Sequence, residues 1–195
     1  MIRIFEEGVF SGYSNVGLDE ARGTVLKPSQ YGVKPKTAVF ISHSHEDLED
    51  LKGLLGFLQR QYGVKVYIDS QDPTMPKVTT AETALNIKER IKQCDKFILL
   101  ATNRAIESKW CNWELGYGDA GKYRKNIALF PLNDKGARNS TYKGSEYMNI
   151  YPYIAYFDGT EKYTSGQLVQ NGYYVRWHEN GKNYITSLVE WFDER

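Results

Sequence analysis

A glutamate four residues after a tryptophan, within Ser108-Lys-Trp-Cys-Asn-Trp-Glu-Leu115, is the feature of this chain best suited to chemistry. On a helix, Trp110 and Glu114 would share one face, because positions four apart are surface neighbours. A carboxylate beside an indole can hold a polar sugar while the ring keeps water away. A core tryptophan next to an unrelated surface glutamate leaves the same trace. The spacing alone does not choose between them.

A second cluster, His43-x-His45-x-Asp47, resembles the opening of the metallo-β-lactamase metal motif. That motif continues with another histidine, where this chain has Leu48. Zinc needs three or four protein ligands, and the one remaining histidine is His178. No metal is expected. His43 is read either as an exposed loop residue or as a substrate contact. The two cysteines, Cys94 and Cys111, read as buried free thiols rather than a disulfide framework. Neither a Gly-x-Gly-x-x-Gly turn after a strand nor a Walker loop occurs. A receiver-type acidic pair is missing too, since Ser-His-Ser and Ala-Thr-Asn stand at the strand ends where it would lie.

The elements that must position these residues alternate. Thr37–Ser42 is a continuous apolar, β-branched run of the kind found in buried parallel strands. Leu48, Leu51, Leu54, Leu55, Leu58 and Tyr62 then recur at helical spacing, and Gly63 stops the helix. Val64–Asp69 is a second strand, and Ser70–Lys77, with Pro73 and Pro76, a loop. Thr79-Thr-Ala-Glu82 has the form of a capping box, opening a helix with Leu85, Ile87 and Ile91 inward. Lys96–Ala101, Asn126–Leu132 and Tyr153–Phe157 complete five strands, with a helix from Ser108 to Lys122 between the first two of these. Such alternation predicts an α/β fold: a five-stranded parallel sheet with helices on both faces, in three layers. Ligands of open parallel sheets bind at the carboxyl ends of the strands. Ser42, His43 and Ser44, then Asp69, Thr102 and Asn133, gather polar groups there, close to Ser108, Trp110 and Glu114.

Outside this core, residues 1–36 read as an N-terminal extension, with Ile2–Phe5 forming a short strand or packing across the domain. Residues 37–195 read as the main domain. Its part from 133 onward begins with a long loop to Ser145 and holds nine of the fifteen tyrosines, from Tyr142 to Tyr184. A hairpin is expected around Tyr173–Trp177 and a closing helix over Asn183–Glu194.

The net charge of +1, with 25 basic and 24 acidic residues intermingled, offers no basic patch for nucleic acid. No stretch approaches the ~20 apolar residues of a membrane span, and the N-terminus lacks the pattern of a signal peptide. A cytoplasmic protein without membrane or nucleic-acid partners is expected.

Several of these segments, in this order, resemble TIR domains. Val39-Phe-Ile-Ser-His-Ser44 with Glu46-Asp47 looks like their first box, and Val66-Tyr-Ile-Asp69 with the loop from Ser70 like their second strand and BB loop. Ser108-Lys-Trp-Cys-x-x-Glu-Leu115 resembles the segment that carries the catalytic glutamate of TIR enzymes, and Phe130-Pro-Leu132 their third box. The resemblance covers residues 37–132. The arginines that some TIR enzymes place after the first box are replaced here by His43–His45. It implies a flavodoxin-like TIR fold and an NAD⁺ nucleosidase or ADP-ribosyl cyclase. NAD⁺ would be the substrate, with no cofactor. Glu114 would be the catalytic carboxylate, while Ser42, His43, Ser44, Ser108 and Trp110 would bound the substrate. It further implies self-association through TIR–TIR contacts and, by likeness to anti-phage systems such as Thoeris, a downstream effector responding to the product. A non-catalytic TIR interaction module and a nucleoside deoxyribosyltransferase-like N-glycosidase are the alternatives.

Overall fold

The computed structural model describes residues 4–14, 37–68, 80–122 and 124–194. The loop expected over Ser70–Lys77, Asp69 before it and most of the extension lie outside the described residues.

Three central strands, β2 (Ala38–Ser42), β4 (Lys96–Ala101) and β5 (Ile127–Asn133), are buried along their whole length. Their apolar runs lack polar alternation because helices cover both faces. With β3 (Lys65–Tyr67) and β6 (Tyr153–Phe157) they form the expected five-stranded parallel core, in the order β3-β2-β4-β5-β6. The sheet is larger than that, with eight strands among the described residues. β7 (Gly172–Glu179) adds antiparallel to β6, and β8 (Lys182–Ser187) antiparallel to β7. The eighth, β1 (Phe5–Glu6), pairs parallel with Leu132 and Asn133 of β5. Ile2–Phe5 thus contributes a strand residue, and the hairpin extends into the segment expected to be helical. The closing helix shrinks to α6 (Leu188–Asp193), started by a capping box between Ser187 and Glu190.

One face is covered by α1 (Leu48–Tyr62) and α6, the other by α2 (Ala81–Gln93), α3 (Asn103–Glu107), α4 (Lys109–Lys122) and α5 (Ser145–Ile150). Helix α1 stops at Gly63, which takes φ 63° and returns its N–H to Gln59 O at 3.0 Å. This is the left-handed cap that a glycine tolerates best. Two other glycines serve a close approach. A Cβ on Gly53 would stand 2.7 Å from the Phe10 carbonyl oxygen, and one on Gly56 2.1 Å from that of Tyr13. The bare face of α1 lets the turn at Ser11–Tyr13 lie flush against it, and Phe10 reaches Phe57 at 4.5 Å between ring centroids.

Helix α2 begins one residue later than the sequence suggests. Thr80, not Thr79, is the N-cap, and its box partner is Thr83 rather than Glu82. Ile87 and Ile91 point inward as expected, whereas Leu85 is 60% exposed. The segment between β5 and β6 is also more ordered than a plain loop, holding a short turn of helix at Asn139–Thr141 and then α5.

Candidate functional site

Three strand ends and one helix build the site. Strand β2 delivers Ser42 at its last position, fully buried, and α4 delivers Glu114, 1% exposed. The Ser42 hydroxyl donates to Glu114 Oε2 across 72 residues of sequence. Helix α4 can approach the sheet because Gly118 carries no side chain: a Cβ there would lie 3.1 Å from the Phe97 ring of β4. A carboxylate held this way has one defined rotamer and little bulk water around it. Both properties strengthen its field on any cation brought beside it.

After Ser42 the chain turns through His43, Ser44 and a short helical turn, His45–Asp47. His43 is 6% exposed, so it is not the freely solvated loop residue of one sequence reading. Its Nδ1 lies 3.5 Å from Ile41 O, and its ring meets His45 edge-on at 6.1 Å. Ser44 caps the turn, its Oγ accepting from Glu46 N at 3.4 Å. Ser108 does the same for α4, accepting from Cys111 N at 3.3 Å. Trp110 begins an aromatic stack along α4, 4.9 Å from Trp113, which in turn lies 6.1 Å from Tyr117. Lys88 of α2 sits over the latter two rings. Of the residues expected to meet the substrate, Ser42 and Glu114 are joined directly. Ser44 caps the turn that follows Ser42, Ser108 caps the start of α4, and Trp110 stacks on Trp113 there.

The most connected group here is one the sequence reading left without a role. Asp47, 1% exposed, accepts from Thr102 Oγ1 at 2.6 Å and from Arg104 Nε at 2.6 Å. Arg104 also reaches Glu7, just beyond β1. Burial works against the guanidinium charge, but the bonds to Asp47 and Glu7 outweigh it and raise the pKa further. One arginine therefore clamps the first loop, the end of β4 and the N-terminal strand together. The signal available was Arg104, three residues past the end of β4, in a chain with no arginine directly after its first box. Beside this clamp, Asn103 Nδ2 approaches Asn133 Oδ1 at 3.4 Å, and Lys143 N donates to Asn103 Oδ1 at 2.9 Å. These bonds fasten the segment after β5 over the strand ends.

No helix among the described residues is long and apolar enough to cross a membrane. The family model for the TIR domain matches residues 39–170. The chain is 29% identical over 150 residues to "Probable 3' cyclic ADP-D-ribose synthase ThsB'" of Bacillus cereus (strain MSX-D12), covering 75% of this chain and 71% of that protein. It is 28% identical over 99 residues to "Putative cyclic ADP-D-ribose synthase TIR2" of Cytobacillus dafuensis, covering 49% of this chain and 24% of that longer one. The matched span runs from β2 through the site and past β6, so the chain belongs to the TIR domain family.

Proposed function

We propose that this protein cleaves the bond between nicotinamide and ribose in NAD⁺ and joins the freed ribosyl carbon within the same molecule, giving a cyclic ADP-ribose. The observation that carries this reading is the buried Glu114 carboxylate, oriented by Ser42 at the carboxyl edge of a parallel sheet. The names of both relatives support it. Nicotinamide leaves NAD⁺ as a neutral molecule, taking the bonding electron pair and quenching its own positive charge. No general acid is needed. The ribosyl group left behind is oxocarbenium-like, as in other glycosidic cleavages. Glu114 would hold the ribose hydroxyls and stabilise that developing cation. Ser42 would position the carboxylate, while His43, Ser44, Ser108 and Trp110 would bound the pocket. Self-association through the segment from Ser70 would complete the site, and the product would report to a separate effector in antiviral defence.

Incubating the chain with NAD⁺ and measuring free nicotinamide tests the reading. Glu114→Gln keeps the size and an acceptor for Ser42 but removes the charge, so turnover should fall at least ~100-fold with the fold intact. Undiminished turnover would overturn the role of Glu114. Free base from deoxynucleosides, with NAD⁺ untouched, would move the protein to the deoxyribosyltransferase class. Inertness towards both, including in concentrated samples, would leave an interaction module.

A further inference from the structure

A cavity that Glu114 does not line lies on the face of the sheet that α5 covers. Its volume is about 470 Å³, within the range of small-molecule sites. Arg176 and His178, which share one face of β7, form one wall, Met148 and Asn149 of α5 another, and Tyr153 of β6 the floor. Its charge is one-sided. No aspartate or glutamate is among the described residues that line it, and Arg176 has no carboxylate within ion-pair distance among them. Arg176 Nη2 instead donates to Asn183 Oδ1 at 3.2 Å, and His178 Nδ1 lies 3.4 Å from the same oxygen. One neutral amide thus holds both basic side chains side by side at the rim. Arginine in such a pose can grip phosphate with two parallel hydrogen bonds. The phenol of Tyr153 and the thioether of Met148 supply apolar surface for a ring, while asparagine and serine side chains supply neutral hydrogen-bond groups.

We propose that this cavity binds a nucleoside phosphate, with the phosphate on Arg176 and the base against Tyr153 and Met148. The pocket is mechanically joined to the candidate active site. Tyr147, on the α5 turn between the lining residues Ser145 and Met148, donates to Asn112 Oδ1 at 2.8 Å. Asn112 stands two residues before Glu114 in α4. A ligand that orders α5 therefore stiffens the start of α4, and the site is an effector site for the chemistry at Glu114.

Calorimetric titration of the full chain with AMP and with adenosine tests the assignment without depending on NAD⁺ turnover. AMP should bind at least tenfold more tightly than adenosine, and Arg176→Ala should weaken AMP at least tenfold. Asn149→Asp, at an exposed position, places a like charge beside the phosphate and should weaken AMP without disturbing the fold, as thermal unfolding would verify. Equal affinity for the two ligands, no AMP binding at millimolar concentration, or AMP binding unchanged in both folded variants would overturn the site. Amide hydrogen exchange reads the coupling. Saturating AMP should slow exchange in α5 and at 109–115, and Tyr147→Phe should abolish the effect at 109–115 while AMP still binds. Protection confined to the β7–β8 hairpin would overturn the link to α4.

Discussion

Ser42 and Glu114 are joined by a side-chain hydrogen bond that ties the end of β2 to the middle of α4, with both residues almost wholly removed from solvent. The serine thereby fixes where the carboxylate points. Hydrogen bonds to charged groups are worth about 1.5–3 kcal/mol, so losing this one should lower kcat roughly 10- to 100-fold. Ser42→Ala tests this by nicotinamide release, and Ser42→Thr, which restores a hydroxyl, should recover part of the rate. A folded Ser42→Ala with full kcat would show that the carboxylate is held by other means.

Packing of the N-terminal turn on α1 makes a prediction of opposite signs for two glycines. Gly56→Ala drives a Cβ towards the Tyr13 carbonyl, and backbone on both sides leaves little room to yield. Overpacking of this kind costs about 1–3 kcal/mol. The melting temperature should fall by several degrees, since about 1 kcal/mol shifts Tm by roughly 2–4 °C in a chain this size. Gly121→Ala, in α4 with open space around it, should instead stabilise by about 0.5–1 kcal/mol. Thermal unfolding of the two variants checks both signs at once.

The two glycines of α1 that face the N-terminal turn show where sequence reasoning stops. The central strands and α1 were legible because burial imposes continuous or 3.6-residue patterns on local sequence. Gly53 and Gly56 show nothing locally, because their reason is Phe10 and Tyr13, more than forty residues earlier. β8 escaped for a related reason. As an edge strand its residues are exposed or half-buried, so Lys182–Ser187 lacks an apolar face, and its register comes from pairing with β7. Leu85 fails in the other direction: it fits the helical period, yet at 60% exposed it meets no partner layer among the described residues. At the site, Glu114 and Ser42 stood out because chemistry and strand ends both pointed to them. Arg104 did not, since an arginine after a strand end acquires meaning only when Asp47 and Glu7 converge on it.

Lys96 gives the protein a pH signature. Its side chain is 1% exposed, donates to Asn126 Oδ1 at 2.8 Å and lies 4.9 Å from the Trp191 ring centroid. Burial pushes the ammonium down to about 8 from the usual 10.5, with Glu194 opposing less strongly. Between those values the unfolded chain binds the proton more tightly than the folded one, so stability from this group rises with pH from 8 to 10.5. Below pH 8 the cost of burying the charge is fully present. Cys94, raised to about 12 from 9.0 by burial, acts oppositely, and its share of stability falls as pH climbs through that window. The two are separated by comparing the native chain with Lys96→Met in denaturant melts from pH 7 to 10. The native chain should gain stability relative to the variant as pH rises. A constant difference across the range would mean Lys96 titrates normally.

The product distinguishes a signalling enzyme from one that only consumes NAD⁺. Once nicotinamide departs, the ribosyl carbon is captured either by water or by a nucleophile, a hydroxyl or a ring nitrogen, of the adenosine half of the same molecule. In the second case the new bond to the ribosyl carbon forms as the nucleophile gives up a proton, and the product is one water lighter than linear ADP-ribose. Intramolecular capture gains from proximity when the substrate is folded back and water is excluded. Glu114 lies beneath the surface at 1% exposure, and the stack of Trp110 on Trp113 offers a flat aromatic wall at the start of its helix. Mass spectrometry of the reaction should therefore show the lighter, cyclised isomer as the main product. Trp110→Ala opens that wall, and it should shift the ratio towards linear ADP-ribose while nicotinamide release falls less than in Glu114→Gln. Linear ADP-ribose alone from the native chain would defeat the cyclase reading and leave NAD⁺ hydrolysis; an unchanged ratio in Trp110→Ala would take the indole out of the partition between water and the internal nucleophile.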